Sequence, residues 1–470
     1  MLKKINPFLI SLLLVNLILL AQLKFTAWPE MFLWPYLMIK GWLPYKDIAI
    51  AHNPLLLANL ALWYKLFGIG LTQLKVFTWL LVLAINLVTY WVARKLFGNK
   101  TALVSLLFLI PLQVYFDANG LWFDLCLSFF TPLIFYFICK KDFFWGGVFW
   151  SFAFLTKQTS FWLLIPITIY TLQNYTVEGK KIVSKLYARF SGLLKGFLIV
   201  FVPFLSVVWI LKIFPYYIFW TFKFAGGNLP FSEGQINIPS LNQFLFGIYP
   251  FFVGLVLIFL SKQKNNIDLL FWAGVASLGI YPRWELFHFL PASPLLAILY
   301  ASTLSSYLKR KKFIKKSGEY KYYRYIDVSV VIAVLIPLLF IVSKNVINNW
   351  NKESWFYEEE VKEVSSYVSE KTNSGDKIFV LNYWDHIYAL TETIPATRPW
   401  IPQFSWYLSL DHAEENILVD LILESPRYVL HHPYSEFGLD SYRPQKISDF
   451  VERYYFQVQD FGNVKVLEKR

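Results

Sequence analysis

From residue 8 to about residue 343 this chain returns repeatedly to stretches of some 20 predominantly apolar residues. That is the length a helix rising about 1.5 Å per residue needs to cross a hydrocarbon layer about 30 Å thick. Inside such a layer every backbone N–H and C=O must be satisfied within the protein, which restricts spanning segments to helices and closed barrels. The composition agrees: 56% of the 470 residues are hydrophobic and 16% are charged, more apolar surface than soluble domains could hide. Eleven spans can be written, at roughly 5–24, 73–93, 101–116, 121–138, 143–156, 159–173, 192–213, 241–260, 267–281, 288–307 and 326–343. Lys3-Lys4 and the apolar run to Leu23 open like a signal peptide, but no small-x-small cleavage site follows, so this segment reads as a retained first helix.

Loops facing the cytoplasm collect Lys and Arg, which gives the orientation. With the N-terminus inside, the inner loops hold Arg94, Lys95 and Lys100, then Lys140 and Lys141, then Lys180, Lys181, Lys185 and Arg189, then Lys262 and Lys264. The last inner loop, 308–325, has eight basic residues and one acidic. The predicted outer loops 117–120, 214–240 and 282–287 contain Asp117, Lys223, Glu233, Arg283 and Glu285 and no basic cluster. Residues 54–67 are apolar, yet a span there would reverse every later loop, so they are placed as a helix lying in the outer interface. The expectation is a multi-pass cell-membrane protein with a cytoplasmic N-terminus. Residues 1–345 form the transmembrane domain, with a first outer loop at 25–72, and residues 346–470 form an extracytoplasmic domain.

Residues 351–470 hold 20 of the 31 acidic and 12 of the 44 basic residues, a net of −8, which leaves +21 on the membrane part. The overall +13 is therefore mainly inner-leaflet anchoring, and membrane lipids rather than nucleic acid are the expected partners. In the acidic segment a polar helix at 355–371 leads through Ser374-Gly375-Asp376 into the strand-like Lys377–Asn382. A helical run at 412–424 precedes a strand at Arg427–His431, and another at 446–454 precedes a strand pair near 455–468, the pattern of a small α/β layer domain. The fold class is thus an α-helical polytopic membrane protein, with about 11 transmembrane helices and a small C-terminal α/β domain. No glycine-rich phosphate loop opens any helix of that domain. Cys126 and Cys139 lie in or beside one apolar segment and read as packing residues.

Asp124, Lys195, Lys212, Asp268 and Asp327 fall within about a turn of span ends, and the spans have no charge at mid-depth, which argues against an ion-coupled carrier. The first outer loop contains Trp28-Pro29-Glu30, then Gly41-Trp42-Leu43-Pro44-Tyr45-Lys46-Asp47, then Ala51-His52-Asn53-Pro54-Leu55-Leu56. A carboxylate held by a Pro-Tyr turn at a membrane surface can serve as a general base or a metal ligand, although Asp47 taken alone reads more readily as an ordinary loop residue.

Gly-x-x-Pro-Tyr-x-Asp followed by a Pro-Leu-rich helix start resembles the first outer loop of the GT-C glycosyltransferases, in the family 39 and dolichyl-phosphate-mannose protein mannosyltransferase-like branch. Leu155-Thr156-Lys157-Gln158, Arg283-Trp284-Glu285-Leu286-Phe287-His288-Phe289-Leu290-Pro291 and the Gly-Asp-Lys-Ile-Phe-Val stretch at 375–380 agree with it, in the expected order and on the expected side. The resemblance implies a GT-C-like fold and an enzyme that takes a hexosyl or pentosyl unit from a polyprenyl-phosphate-linked sugar. It passes the sugar to a glycan, lipid or protein acceptor at the outer face, by inverting displacement.

Such chemistry needs a carboxylate to take the acceptor proton, cations for the departing phosphate and a groove for the lipid. Lys157, Arg283 and His288 are the expected phosphate partners, with interfacial anchoring as the alternative reading. The family's Asp, often Asp-Glu, after the first span is here Glu30, and its Lys-Pro-Pro-Leu is here His52-Asn53-Pro54-Leu55. Asp47 and Glu30 therefore share the catalytic assignment, Asp47 having the better-matched surroundings. His52 replaces the missing lysine as a phosphate contact or serves as a metal ligand; no cofactor is fixed by this pattern, and if a divalent cation takes part, Asp47, Glu30 or His52 is its candidate ligand. Tyr45, Asp117 and Gln158 complete the expected substrate-binding set, with Asp117-Ala118-Asn119 also readable as a helix cap. Two other classes compete: a lipid or glycan transporter or flippase that works without Asp47, and a non-enzymatic membrane assembly factor whose α/β domain binds a partner.

Overall fold

The computed structural model of the chain describes residues 6–172, 180–228, 238–263, 266–281, 283–314, 321–402, 405–408, 410–434 and 443–470. Residues 229–237 of the predicted outer loop 214–240, residues 315–320 of the predicted inner loop 308–325, and Lys264 lie outside the described residues, as do the side chains of Lys180, Lys181 and Asp327. The chain divides into two compact units. One comprises Met1–Lys24, Thr78–Phe204 and Ile238–Lys352, the other Phe25–Phe77, Leu205–Asn237 and Glu353–Arg470. The predicted first outer loop, 25–72, thus groups with the C-terminal segment rather than with the helices on either side of it.

The first unit is helical, and its sequence supplies the helix ends. Asn6 accepts from the Phe8 N–H at 3.0 Å and Pro7 opens the helix Pro7–Gln22, where no backbone donor is needed. Ser240 and Gln243 form a reciprocal capping box at the start of Leu241–Ser261. Among the described residues, five helices are long and apolar enough to cross a membrane: Leu71–Phe97, Lys185–Ile210, Leu241–Ser261, Leu286–Leu308 and Ser329–Asn349. Phe143–Thr156 and Lys180–Ile210 meet backbone to backbone. A Cβ on Gly147 would lie 2.1 Å from the Leu193 carbonyl oxygen, and one on Gly196 would lie 1.9 Å from that of Phe144. Such glycine contacts supply the close packing that helices in lipid rely on.

Side-chain amides link several helices of this unit. Asn16 Nδ2 donates to Gln113 Oε1 and Gln113 Nε2 to Asn86 Oδ1, both at 2.8 Å, tying Pro7–Gln22 to Asn99–Tyr115 and Leu71–Phe97. Asn119 Nδ2 donates to the carbonyls of Leu20, Leu23 and Lys24, closing the carbonyl end of the first helix. Asn119 thus serves the end of an earlier helix, the helix that follows it, Phe123–Cys139, has no side-chain N-cap, and Asp117 is exposed with φ 57°.

The second unit contains a mixed five-stranded sheet: β1 Lys377–Leu381, β2 Ile394–Pro395, β3 Tyr428–His431, β4 Tyr455–Phe461 and β5 Val464–Lys469. Their order is β2-β1-β3-β5-β4, with β1 parallel to β2 and β3, and β5 antiparallel to β3 and β4. Phe379, Leu381 and Val429 pack against Ile417 and Leu421 of the helix Ala413–Glu424 and Ile447 and Val451 of Gln445–Tyr454. The predicted first outer loop is part of this unit's architecture. It contains the helices Glu30–Ile39 and Leu55–Phe67, the latter, at 13 residues, short for a span. The Ala27 N–H donates to the Trp355 carbonyl at 3.0 Å, the Trp355 N–H to the Phe25 carbonyl at 2.8 Å, and the Tyr36 hydroxyl to the Thr393 carbonyl at 2.9 Å.

Candidate functional site

Each unit gathers ionisable side chains away from water. In the first, Lys157 sits where the helix Phe143–Thr156 stops: its backbone is extended, at φ −150° and ψ 128°, before the 3-10 turn Gln158–Leu163. Asp124 lies in the first turn of Phe123–Cys139, where the helix's unpaired N–H groups favour an anion. His288 comes from the 3-10 segment Leu286–Ala292, which runs into the helix Ser293–Ile314.

Asp124 Oδ2 meets Lys157 Nζ at 2.6 Å and His288 Nδ1 at 2.9 Å, and the two nitrogens are 3.3 Å apart. Lys157 is 4% exposed, Asp124 1% and His288 12%. An ionised carboxylate only accepts, so Nδ1 carries the proton in its bond to Asp124, and Nε2 is the imidazole nitrogen not used in that bond. Removing one partner of such a buried pair destabilises by about 3–5 kcal/mol, because it leaves an uncompensated charge. The structure thus brings together Lys157 and His288, which the sequence singles out, on Asp124, which the sequence shows only as a charge near a span end. The available signal was chemical: an acid within an apolar span calls for a named partner.

Arg283 is engaged elsewhere. Its Nε donates to Glu285 Oε1 at 2.5 Å, a partly exposed pair worth about 0–1 kcal/mol. Gln158, directly after Lys157, is half-buried.

In the second unit Tyr45 has a left-handed backbone, φ 68°, which costs a residue with a Cβ about 1–2 kcal/mol. Its buried ring meets Tyr217 edge-on at 5.2 Å, and its hydroxyl donates to the His52 carbonyl at 3.0 Å, while the Tyr217 hydroxyl donates to Asn53 Oδ1 at 2.9 Å. Tyr45, expected to touch substrate, thus uses its hydroxyl to hold the loop's own turn. Two residues on, the buried Asp47 accepts at Oδ2 from the Leu43 N–H and from Arg398 Nη2, both at 2.8 Å. Burial alone would raise its pKa, but the Arg398 guanidinium and the Leu43 amide outweigh it and hold the carboxyl below its ordinary range.

Glu30 stands in the first turn of its helix with Oε2 shielded from water. Burial and the nearby Glu30 push the Asp385 carboxyl well above its ordinary range, and burial and Glu30 also raise Tyr407. His386 is buried, its ring 5.5 Å from that of Phe32 and 6.1 Å from that of Tyr357, and burial pushes its pKa down to about 3. Arg398 and Asp385 are absent from the motifs that the sequence offers. Among the described residues, no three His, Cys, Asp or Glu side chains gather as a metal's ligands would, so Asp47, Glu30 and His52 do not form such a set.

Residues 51–209 match the family model described as dolichyl-phosphate-mannose-protein mannosyltransferase. The crystal structure of ArnT from Cupriavidus metallidurans bound to undecaprenyl phosphate shares the fold at TM-score 0.61 and 13% identity, over 98% of this chain and 97% of that one. The apo oligosaccharyltransferase of Archaeoglobus fulgidus does so at 0.56 and 12%, over 98% of this chain and 74% of its own. The archaeal oligosaccharyltransferase AglB from Archaeoglobus fulgidus, in complex with an inhibitory peptide and a dolichol-phosphate, follows at 0.55 and 11% with the same coverage. Curated protein sequences contain no match to this chain. Over residues 51–209 the chain therefore matches the dolichyl-phosphate-mannose protein mannosyltransferase family, and along nearly its whole length it has the fold of the GT-C membrane glycosyltransferases, the resemblance that its motifs carry.

Proposed function

We propose that this membrane protein transfers a hexosyl or pentosyl unit from a polyprenyl-phosphate-linked sugar to a glycan, lipid or protein acceptor, at the extracytoplasmic face and with inversion. The observation that carries this reading is the Asp124–Lys157–His288 cluster, a cation and an imidazole held on one buried carboxylate. The acceptor oxygen attacks the anomeric carbon, the bond from that carbon to the phosphate oxygen breaks, and its electron pair leaves on the polyprenyl phosphate. The acceptor's proton passes to a carboxylate. Lys157 and His288 meet the charge that develops on the phosphate, and a preorganised donor of this kind contributes about 3–4 kcal/mol to the transition state. Undecaprenyl phosphate and dolichol-phosphate, bound by two enzymes of the same fold, support a polyprenyl donor here.

Of the two carboxylates in the first outer loop, Glu30 takes the acceptor's proton. A general base works best with a pKa near the operating pH, and Arg398 moves Asp47 away from that value. In the same reading the N-terminus is cytoplasmic, and residues 25–72 and 346–470 face outside. The test is to incubate the purified full chain with a panel of polyprenyl-phosphate sugars and measure the release of polyprenyl phosphate. Release with one sugar, abolished by Glu30→Gln, is the expected result; transport of the intact donor without release would overturn the proposal.

A further inference from the structure

Asp47 has the surroundings that best match the family's motif, yet it is held as a structural link. We propose that Asp47 and Arg398 form a positioning clip that fixes the first outer loop onto the C-terminal segment, and that neither residue exchanges a proton in the reaction. This rests on reading Glu30 as the proton acceptor and extends it to what holds Glu30 in place.

Asp47 and Arg398 are 351 residues apart, and the link between their segments has several strands. The Asp47 N–H donates to the Leu43 carbonyl at 2.8 Å and its Oδ2 accepts from the Leu43 N–H, so residues 43–47 close on themselves. Outside that loop, Asp47 Oδ2 also accepts from Arg398, its carbonyl accepts from the Trp400 N–H at 2.8 Å, and the Ala49 N–H donates to the Trp400 carbonyl at 3.0 Å. Arg398 is held in turn. Its N–H donates to Asp420 Oδ2 at 2.9 Å and its guanidinium lies 5.0 Å from the centre of the Trp42 ring, although its side chain is 57% exposed. The clip reaches Glu30 through a short path: the Trp42 N–H donates to the Leu37 carbonyl at 3.0 Å, on the helix whose first turn carries Glu30. With both a backbone amide and a guanidinium on one carboxylate oxygen, the bonds at Asp47 favour its anion and oppose its taking a proton.

The test is a double-mutant cycle on the full chain: Asp47→Asn, Arg398→Gln, both together, and Arg398→Lys, each assayed for polyprenyl phosphate release across a pH series. Each single variant and the double should lose turnover by the same factor, about 100-fold or less, as a small misplacement of a reacting group does. The donor KM should hold, Arg398→Lys should recover part of the loss, and the acid limb of the rate profile should stay where it is in the wild type. An Asp47 that takes the proton behaves differently: Asp47→Asn would lose far more than Arg398→Gln, and Arg398→Gln would move the acid limb to higher pH by releasing the carboxyl. Either outcome overturns the clip. Glu30→Gln, run alongside, separates the two readings: full turnover in that variant removes Glu30 as base, while additivity within the cycle removes the clip.

Discussion

Replacing Lys157 by Met keeps the apolar stem and deletes the charge, and the structure predicts two effects that can be pulled apart. Asp124, 1% exposed, would lose its 2.6 Å partner and keep only His288. Breaking one side of a buried pair destabilises by about 3–5 kcal/mol, a large part of the about 5–15 kcal/mol that holds a typical domain together. The folded amount of Lys157→Met should therefore fall, an effect that neither reading of Lys157 in the sequence, phosphate partner or interfacial anchor, brings with it. Asp124→Asn combined with Lys157→Met removes both charges, so most of the folded protein should return. The double variant still lacks the ammonium for the leaving phosphate, a loss of about 3–4 kcal/mol, or roughly 100- to 1000-fold in turnover. Folded yield is read by size-exclusion profile and thermal melting, and chemistry by polyprenyl phosphate release with the donor varied. A double variant that folds and keeps wild-type turnover and donor KM would refute the phosphate role of Lys157.

Glu30→Gln should lower turnover by about 100- to 10,000-fold while leaving donor affinity nearly unchanged, checked by donor binding beside single-turnover rates. Cysteine placed at Glu370 should react with an impermeant reagent on intact cells and cysteine at Lys141 should not; the reverse pattern would overturn the orientation. His386 is neutral in the folded protein, its pKa lowered by burial to about 3, so its contribution is complete above about pH 6.5 and is lost as pH falls below that. His386→Phe should consequently melt with less loss between pH 7 and pH 5 than the wild type does. Asp47, held below its ordinary range, stabilises at neutral pH and loses that contribution as pH falls through its folded pKa, so the melting difference between wild type and Asp47→Asn should narrow below about pH 4. Gly196→Ala would place a Cβ 1.9 Å from the Phe144 carbonyl oxygen and should reduce the folded yield, with a penalty of about 1–3 kcal/mol or more.

What the sequence shows well is whatever a local pattern encodes. The long apolar runs give the helices of the first unit, and the short strand-like stretches at 377–381, 428–431 and 455–469 give four of the five strands. The strand Ile394–Pro395 is too short for any period to appear, and the helix Glu30–Ile39 is hidden because Glu-Met-Phe-Leu-Trp-Pro-Tyr-Leu-Met-Ile is apolar on every face and interrupted by Pro35. Partners are another matter. Lys157 and Asp124 are 33 residues apart, His288 and Asp124 164, Arg398 and Asp47 351, and no spacing rule operates over such separations.

The same separation explains why the motif points to Asp47 as the base while the proposed reading gives that role to Glu30. A carboxylate's basicity is set by its neighbours, through burial, opposite charge and hydrogen bonds to the charged form. For Asp47 the decisive neighbour, Arg398, comes from the far end of the chain. Glu30 also has its neighbours Asp385 and Tyr407 there, but they are an acid and a phenol rather than a cation. Two acidic residues in one loop, 17 positions apart, acquire different surroundings only when the C-terminal segment folds against them: one carboxylate is bonded by a guanidinium that favours its anion, the other stands beside a second carboxyl whose pKa burial and Glu30 raise.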